Sequence, residues 1–241
     1  MMKCLEVKEL VKEYSKKRVV DHLSFHIDPG EVVGLLGPNG AGKTTAFYMA
    51  MGLIRPDAGH VFFQEQEVTP FPMHKRALLG MGYLAQEPSV FRHLTVEENI
   101  LCILENLPLT STERKERLQE LLAELHLEPL AKKVAVTLSG GERRRLEITR
   151  ALINAPKLLL LDEPFANIDP ISVQEVKELI HLLVGKGISV LITDHNAREI
   201  FSIVNRSYLI VEGRVISSGT PEELLANPEV RQRYLGDTFS L

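Results

Sequence analysis

Apolar positions along the chain change their spacing twice. From Lys3 to about Ala85 they come in short, often β-branched runs, among them Val19-Val20, Glu31 to Leu36, His60 to Phe63 and Met81 to Leu84. Turn signals separate the runs, notably Asp28-Pro29-Gly30 and Arg55-Pro56-Asp57-Ala58-Gly59, so this stretch reads as strand-rich with one helix beginning near Lys43. From about Pro88 to Ala155 the spacing turns helical. Thr95-x-x-Glu98, Thr110-x-x-Glu113 and Ser139-x-x-Glu142 each place a capping hydroxyl three residues before a glutamate that can reach back to it. After Lys157 the pattern predicts a strand over Leu158 to Leu161, a helix over Ser172 to Val184, a strand over Ile188 to Thr193, a helix over Ala197 to Ile203 and a strand over Ser207 to Val211. That alternation indicates an α/β fold with a parallel sheet flanked by helices. A last helix starts at Thr220-Pro221-Glu222-Glu223. The expected organisation is a core from residues 1–87 and 156–241, interrupted by an inserted helical subdomain over 88–155.

Charge and composition narrow the function classes. A net charge of -4 with only short basic runs, Lys16 to Arg18 and Arg143 to Arg145, argues against a nucleic-acid partner. No stretch approaches the roughly 18 uninterrupted apolar residues of a membrane span, and Met1 to Val11 lacks the apolar segment of a secretory signal, so the expected location is cytoplasmic. Cys4 and Cys102 lie outside any paired-cysteine motif and read as reduced packing residues. The histidine pair His22 and His26 reads as structural.

Gly37-Pro38-Asn39-Gly40-Ala41-Gly42-Lys43-Thr44 follows an apolar strand and opens a helix, the context in which GxxxxGK[ST] binds nucleotide phosphates. Glycines let backbone N–H groups turn inward, and the helix that follows adds its positive N-terminal end. Lys43 is placed for the β- and γ-phosphates and Thr44 for Mg²⁺. The cradle lacks a carboxylate for the metal and a base for water. Asp162 and Glu163 supply both at the end of the Leu158 to Leu161 strand, Asp162 towards the metal shell and Glu163 towards the attacking water.

Leu138-Ser139-Gly140-Gly141-Glu142 carries two glycines that a capping box does not need. This segment resembles the signature motif of ABC ATPases, and further elements follow in that family's order: Tyr14, Gln86, Asp169 and His195. The resemblance covers nearly the whole chain. It implies a P-loop core with an N-terminal antiparallel β part and ATP with Mg²⁺ as ligands. The phosphate-binding set is Gly37 to Thr45, Thr45 included. It also implies Tyr14 stacking on adenine, Gln86 at the metal, Asp169 as the D-loop aspartate and His195 holding the γ-phosphate. Ser139, Gly140 and Gly141 of one chain would face the cradle of another, giving a head-to-tail homodimer with ATP at its interface. By their residue types alone, Tyr14 can equally be a strand residue, Gln86 a loop amide and His195 a packed or surface histidine.

Finer strings are similar to the ATPase subunits of lipopolysaccharide exporters. They comprise Leu36 to Thr45 with Phe47-Tyr48-Met49, Gly82 to Glu87, Ser139 to Arg145, Asp162 to Ala166, Ile192 to Asn196, and an ending with Tyr234 to Asp237, Phe239 and Leu241. That likeness implies peripheral attachment to the cytoplasmic face of the inner membrane through two transmembrane permease subunits. The segment Pro88 to Leu94, with Phe91 and Arg92, would help form the groove that receives them, though Phe91 can also be read as a core anchor. ATPases of branched-chain amino-acid importers share the cradle and signature and form the alternative. A soluble, non-transport ABC ATPase is a more distant one. The chain departs from the common pattern at Ala46, Ala85 and Asn167-Ile168, the last of which bears on how the two halves communicate.

Overall fold

A computed structural model describes residues 2–87, 89–166, 168–236 and 239. The chain opens with a hairpin of β1 (Leu5–Tyr14) and β2 (Lys17–Ile27). Its two-residue turn, Ser15 and Lys16, lies in the left-handed region at φ 49° and 69°, which matches the twist of the flanking strands. β3 (Val32–Leu36) is buried along its whole length and leads through the glycine-rich loop into α1 (Lys43–Met51). β4 (Ala58–Phe63) and β5 (Gln66–Glu67) complete an antiparallel sheet in the order β2-β1-β4-β5. α2 (Met73–Leu78) and β6 (Met81–Leu84) follow.

The helical stretch contains α3 (Val96–Leu104), α4 (Ser111–Glu124) and α5 (Gly140–Leu152). Each begins with the capping box read from the sequence, at Thr95, Thr110 and Ser139. Burial of Leu104, Leu118, Leu121, Leu122 and Leu146 in one apolar cluster joins the three helices. The remainder alternates: β7 (Leu158–Asp162), α6 (Pro170–Gly185), β8 (Ser189–Thr193), α7 (Ala197–Phe201), β9 (Arg206–Val211), β10 (Arg214–Gly219), α8 (Pro221–Ala226) and α9 (Pro228–Val230), ending in a π-helical turn at Arg231–Leu235.

The second sheet has the order β10-β9-β3-β8-β7-β6, parallel except at its edge, where β10 runs antiparallel to β9. The sequence pattern did not reveal that edge strand, because Arg214 to Gly219 is only partly buried and carries two serines. The central strands are apolar without alternation because both faces are covered. Val33, Leu35, Leu158, Leu160 and Leu191 face α1 and the antiparallel sheet. Val32, Leu36, Leu159, Leu161, Val190 and Ile192 face the opposite core, built with α6, α7 and the helical stretch. α1 is therefore sandwiched between two sheets, which holds the glycine-rich loop rigidly at the carboxyl end of β3.

The capping glutamates make a pH prediction. Hydrogen bonds from the backbone N–H of Thr95, Thr110 and Ser139 hold Glu98, Glu113 and Glu142 below the ordinary glutamate value of 4.5. A carboxylate depressed in the folded state stabilises it at neutral pH, and the contribution is lost as pH falls through the folded-state value. Backbone amides in the first turns of α3, α4 and α5 are expected to lose hydrogen-exchange protection as pH falls from neutral to below the ordinary glutamate value of 4.5, before the central strands do. Protection lost uniformly across the chain would contradict this.

Candidate functional site

The site is assembled where β3, β7 and β8 end side by side. α1 starts with Gly42 in the left-handed conformation (φ 98°), with no side-chain cap and no acid in its first turn. Its uncapped N–H groups are left for an anion. Gly42 also has no room for a side chain, since a Cβ would lie 2.4 Å from the Val19 carbonyl oxygen. Lys43 is buried and its Nζ donates to the carbonyls of Gly37 at 2.6 Å and Pro38 at 3.0 Å. Burial lowers its pKa, opposed by the nearby Glu163 and Asp194 carboxylates. A cation resting on neutral carbonyls beside an uncapped helix end fits a polyphosphate. Pro38, Asn39, Gly40 and Thr44 are exposed at the mouth of the cradle, Thr45 is half-buried, and Ala41 is packed beneath it.

Asp162 ends β7 and is 3% exposed. Burial raises its pKa, Tyr48 counteracts this by hydrogen bonding, and the Glu163 carboxylate raises it further. A buried carboxylate in that state, next to the exposed Thr44 hydroxyl's helix, suits a divalent cation. Glu163 takes up a left-handed backbone (φ 45°) as the chain leaves the strand, and its N–H donates to the Thr193 carbonyl at 2.7 Å. Its Oε2 accepts from Gln86 Nε2 at 2.8 Å and lies 3.7 Å from His195 Nδ1. Glu163, Gln86 and His195 thus converge, although they are far apart in sequence.

The other expected residues lie outside this convergence. Ser139 caps α5, with Gly140 exposed, but Gly141 is buried: a Cβ there would lie 1.9 Å from Glu175 Oε2 on α6. Asp169 caps α6, accepting from the N–H groups of Ile171 and Ser172 and from Ser172 Oγ at 2.6 Å. Tyr14 ends β1, 45% exposed. Phe91 is 50% exposed and carries the Arg150 guanidinium 5.0 Å from its ring centroid, so it is not a core anchor. Arg92 is exposed beside it. Pro88, Asn167, Asp237 and Leu241 lie outside the described residues.

Several participants escaped the sequence reading. Asp194, 1% exposed, accepts from Phe165 N–H at 3.0 Å and Asn196 N–H at 2.9 Å, tying the Glu163 loop to the His195 loop. Its signal was the one used for Asp162, an acid closing an apolar strand. Arg144 and Glu147 form a buried ion pair at 2.9 Å. Glu147 also accepts from Ser89 N–H, while Arg144 and Arg150 donate to the carbonyls of Ala85 and Ser89. The signature helix therefore grips both sides of Gln86. A cavity of about 440 Å³ opens between these residues and Glu163. Tyr234, from the π-helical turn, packs by Gly37 and lines a second cavity with His195 and Phe239.

A cradle, a strand-ending Asp-Glu pair and a signature helix on this sheet define a nucleotide-hydrolysing cassette. The chain belongs to the ABC transporter family, whose model matches residues 20–166, and it is accordingly an ATP-binding, ATP-hydrolysing transporter subunit. Residues 214–240 match a model described as a branched-chain amino acid ATP-binding cassette transporter. The lipopolysaccharide export system ATP-binding protein LptB of Acidithiobacillus ferridurans is 54% identical over 241 residues, 100% of both chains. LptB of Escherichia coli strain K12 is 47% identical, again over 100% of both. Among solved structures, an ATP-binding cassette of an ABC transporter in its ADP conformation superposes with a TM-score of 0.88 at 26% identity, covering 98% of this chain and 100% of that one. No helix among the described residues is long and apolar enough to cross a membrane.

Proposed function

We propose that this chain powers lipopolysaccharide export, acting as a homodimer on the cytoplasmic face of the inner membrane beneath two transmembrane permease subunits. The observation that carries this reading is the full-length identity to export ATPases named LptB. The match of residues 214–240 favours a second reading, an importer of the branched-chain amino-acid type, but it concerns only the C-terminal strand and short helices. In this reading residues 88–155 form a helical subdomain that carries the signature motif, set into the core of 1–87 and 156–241.

The residues divide the work as follows. Tyr14 stacks on adenine, and Gly37 to Thr45 wrap the phosphates. Lys43 leaves the Gly37 and Pro38 carbonyls for the β- and γ-phosphates, replacing neutral acceptors with charged ones. Thr44, Asp162 and Gln86 would hold Mg²⁺, which neutralises phosphate charge when bound. Glu163 orients and accepts a proton from the attacking water, and His195, 60% exposed beside it, is free to reach the γ-phosphate. In a head-to-tail dimer the Ser139, Gly140 and Gly141 end of a second copy's α5 covers the remaining phosphate face. Asp169 lies near that junction.

Extraction of a tagged Glu163→Gln chain from its own cells, with identification of what copurifies, tests the assignment. Lipopolysaccharide-export permeases support it, amino-acid importer permeases shift the cargo, and no membrane partner contradicts both. Arg92→Ala is expected to weaken permease association by about tenfold with nucleotide binding intact. The same copurification measures it, and unchanged assembly would remove Phe91 and Arg92 from the docking groove.

A further inference from the structure

The exposed ring of Tyr14 is engaged on one side already. Lys12 Nζ stands 5.5 Å from its centroid. The two residues lie two apart at the end of β1, beside a register shift against β2 between Lys12 and Glu13, and their side chains meet there. Lys12 is not a freely moving surface lysine: its side chain is 16% exposed, and Nζ donates to Asp57 Oδ1 at 2.7 Å. Asp57 is in turn fixed by the β1 backbone. Its Oδ2 accepts from Glu13 N–H at 2.8 Å, and its own N–H donates to the Val11 carbonyl at 2.9 Å. The turn before β4 is thereby stitched to β1 on both sides of Lys12.

We propose that Asp57 and Lys12 are positioning residues for the nucleotide base, the carboxylate anchoring the ammonium against Tyr14 so that the ring is held with its other face open to a purine. The inference rests on the reading of Tyr14 as the adenine-stacking residue and deepens it. An exposed tyrosine would otherwise sample several rotamers, and stacking a base on it would have to overcome that freedom. A typical surface ion pair contributes little. This one differs in that both carboxylate oxygens are engaged, the lysine is largely covered, and the ammonium has an aromatic face within cation–π range. Hydrogen bonding from Lys12, then from the Glu13 backbone, holds the Asp57 carboxyl below the usual range, in keeping with a constantly ionised anchor.

The test uses the full chain and two probes, ATP and inorganic tripolyphosphate, each competed against a fluorescent ATP analogue. Lys12→Met and Asp57→Asn are expected to weaken ATP by about two- to fivefold and leave tripolyphosphate unchanged, since only the base is affected. The KM for ATP should rise by the same factor at constant kcat, and Lys12→Arg, which keeps the cation, should restore it. Tyr14→Ala separates base stacking from the positioning of the ring. If it leaves ATP affinity unchanged, adenine does not stack there and both readings fall. If it weakens ATP while Lys12→Met and Asp57→Asn do not, the positioning role alone is overturned. Equal weakening of ATP and tripolyphosphate would also overturn it, showing that the pair supports the fold of the cradle and not the base.

Discussion

Replacing Glu163 by glutamine is expected to slow ATP hydrolysis by roughly 10²-fold or more while leaving ATP binding intact. The carboxamide keeps the volume and can still meet Gln86, whose Nε2 lies 2.8 Å from Glu163 Oε2, but it cannot accept a proton from water. The cradle keeps its hydrogen bonds, because Lys43 donates to the Gly37 and Pro38 carbonyls and Glu163 acts on it only through space. With hydrolysis blocked, ATP should accumulate the dimer, visible by size-exclusion chromatography with and without nucleotide. Normal turnover would exclude Glu163 as the base and turn attention to His195 and Asp194. Glu163 has a left-handed backbone where the chain leaves β7, and its side chain meets Gln86 and His195.

Arg76→Met is expected to destabilise the chain by about 3–5 kcal/mol. Arg76 is 1% exposed, and its guanidinium donates to the carbonyls of Phe71, Met49, Ala50 and Thr69. Met49 and Ala50 are in the last turn of α1, where the negative end of the helix favours a cation, and the Met49 carbonyl also accepts from Gly52 N–H at 3.2 Å. Burial lowers the Arg76 pKa to about 10, which leaves it charged at neutral pH. Methionine fills much of the space but leaves the carbonyls of Phe71, Ala50 and Thr69 without the guanidinium donor in a buried setting. Melting by circular dichroism should show a decrease of roughly 10 °C. A drop of only a degree or two would mean that water replaces the guanidinium. Because α1 begins at Lys43, a folded Arg76→Met chain should also bind ATP more weakly, linking a distant cap to the cradle.

Much of the site was legible before the fold was known. Gly37 to Thr44, Asp162-Glu163 and Ser139 to Glu142 declare themselves because their chemistry depends on residues contiguous in the chain: a loop of backbone donors, a strand end, a helix cap. Each capping box formed as read, since its hydrogen bonds span only three residues. Gln86 and His195 were identifiable through family resemblance, not through local physics, as an exposed glutamine and an exposed histidine say little alone.

Near-neighbour interactions account for what the chain declares locally: most of the strands and helices apart from the half-exposed β10, the caps, the cradle and the two carboxylates. Which of these meet depends on how the strands are ordered in the sheet. The 77-residue separation between Gln86 and Glu163 is closed by the parallel pairing of β6 with β7. Asp194 became the tie between two loops because β8 lies beside β7. Arg144, Glu147 and Arg76 look like ordinary surface charges in the sequence, and burial alone converts them into structural anchors. The same holds for Gly141, whose missing side chain admits Glu175 of α6. Hydrogen bonds and packing between elements depend on register and sheet order, which local periodicity does not encode.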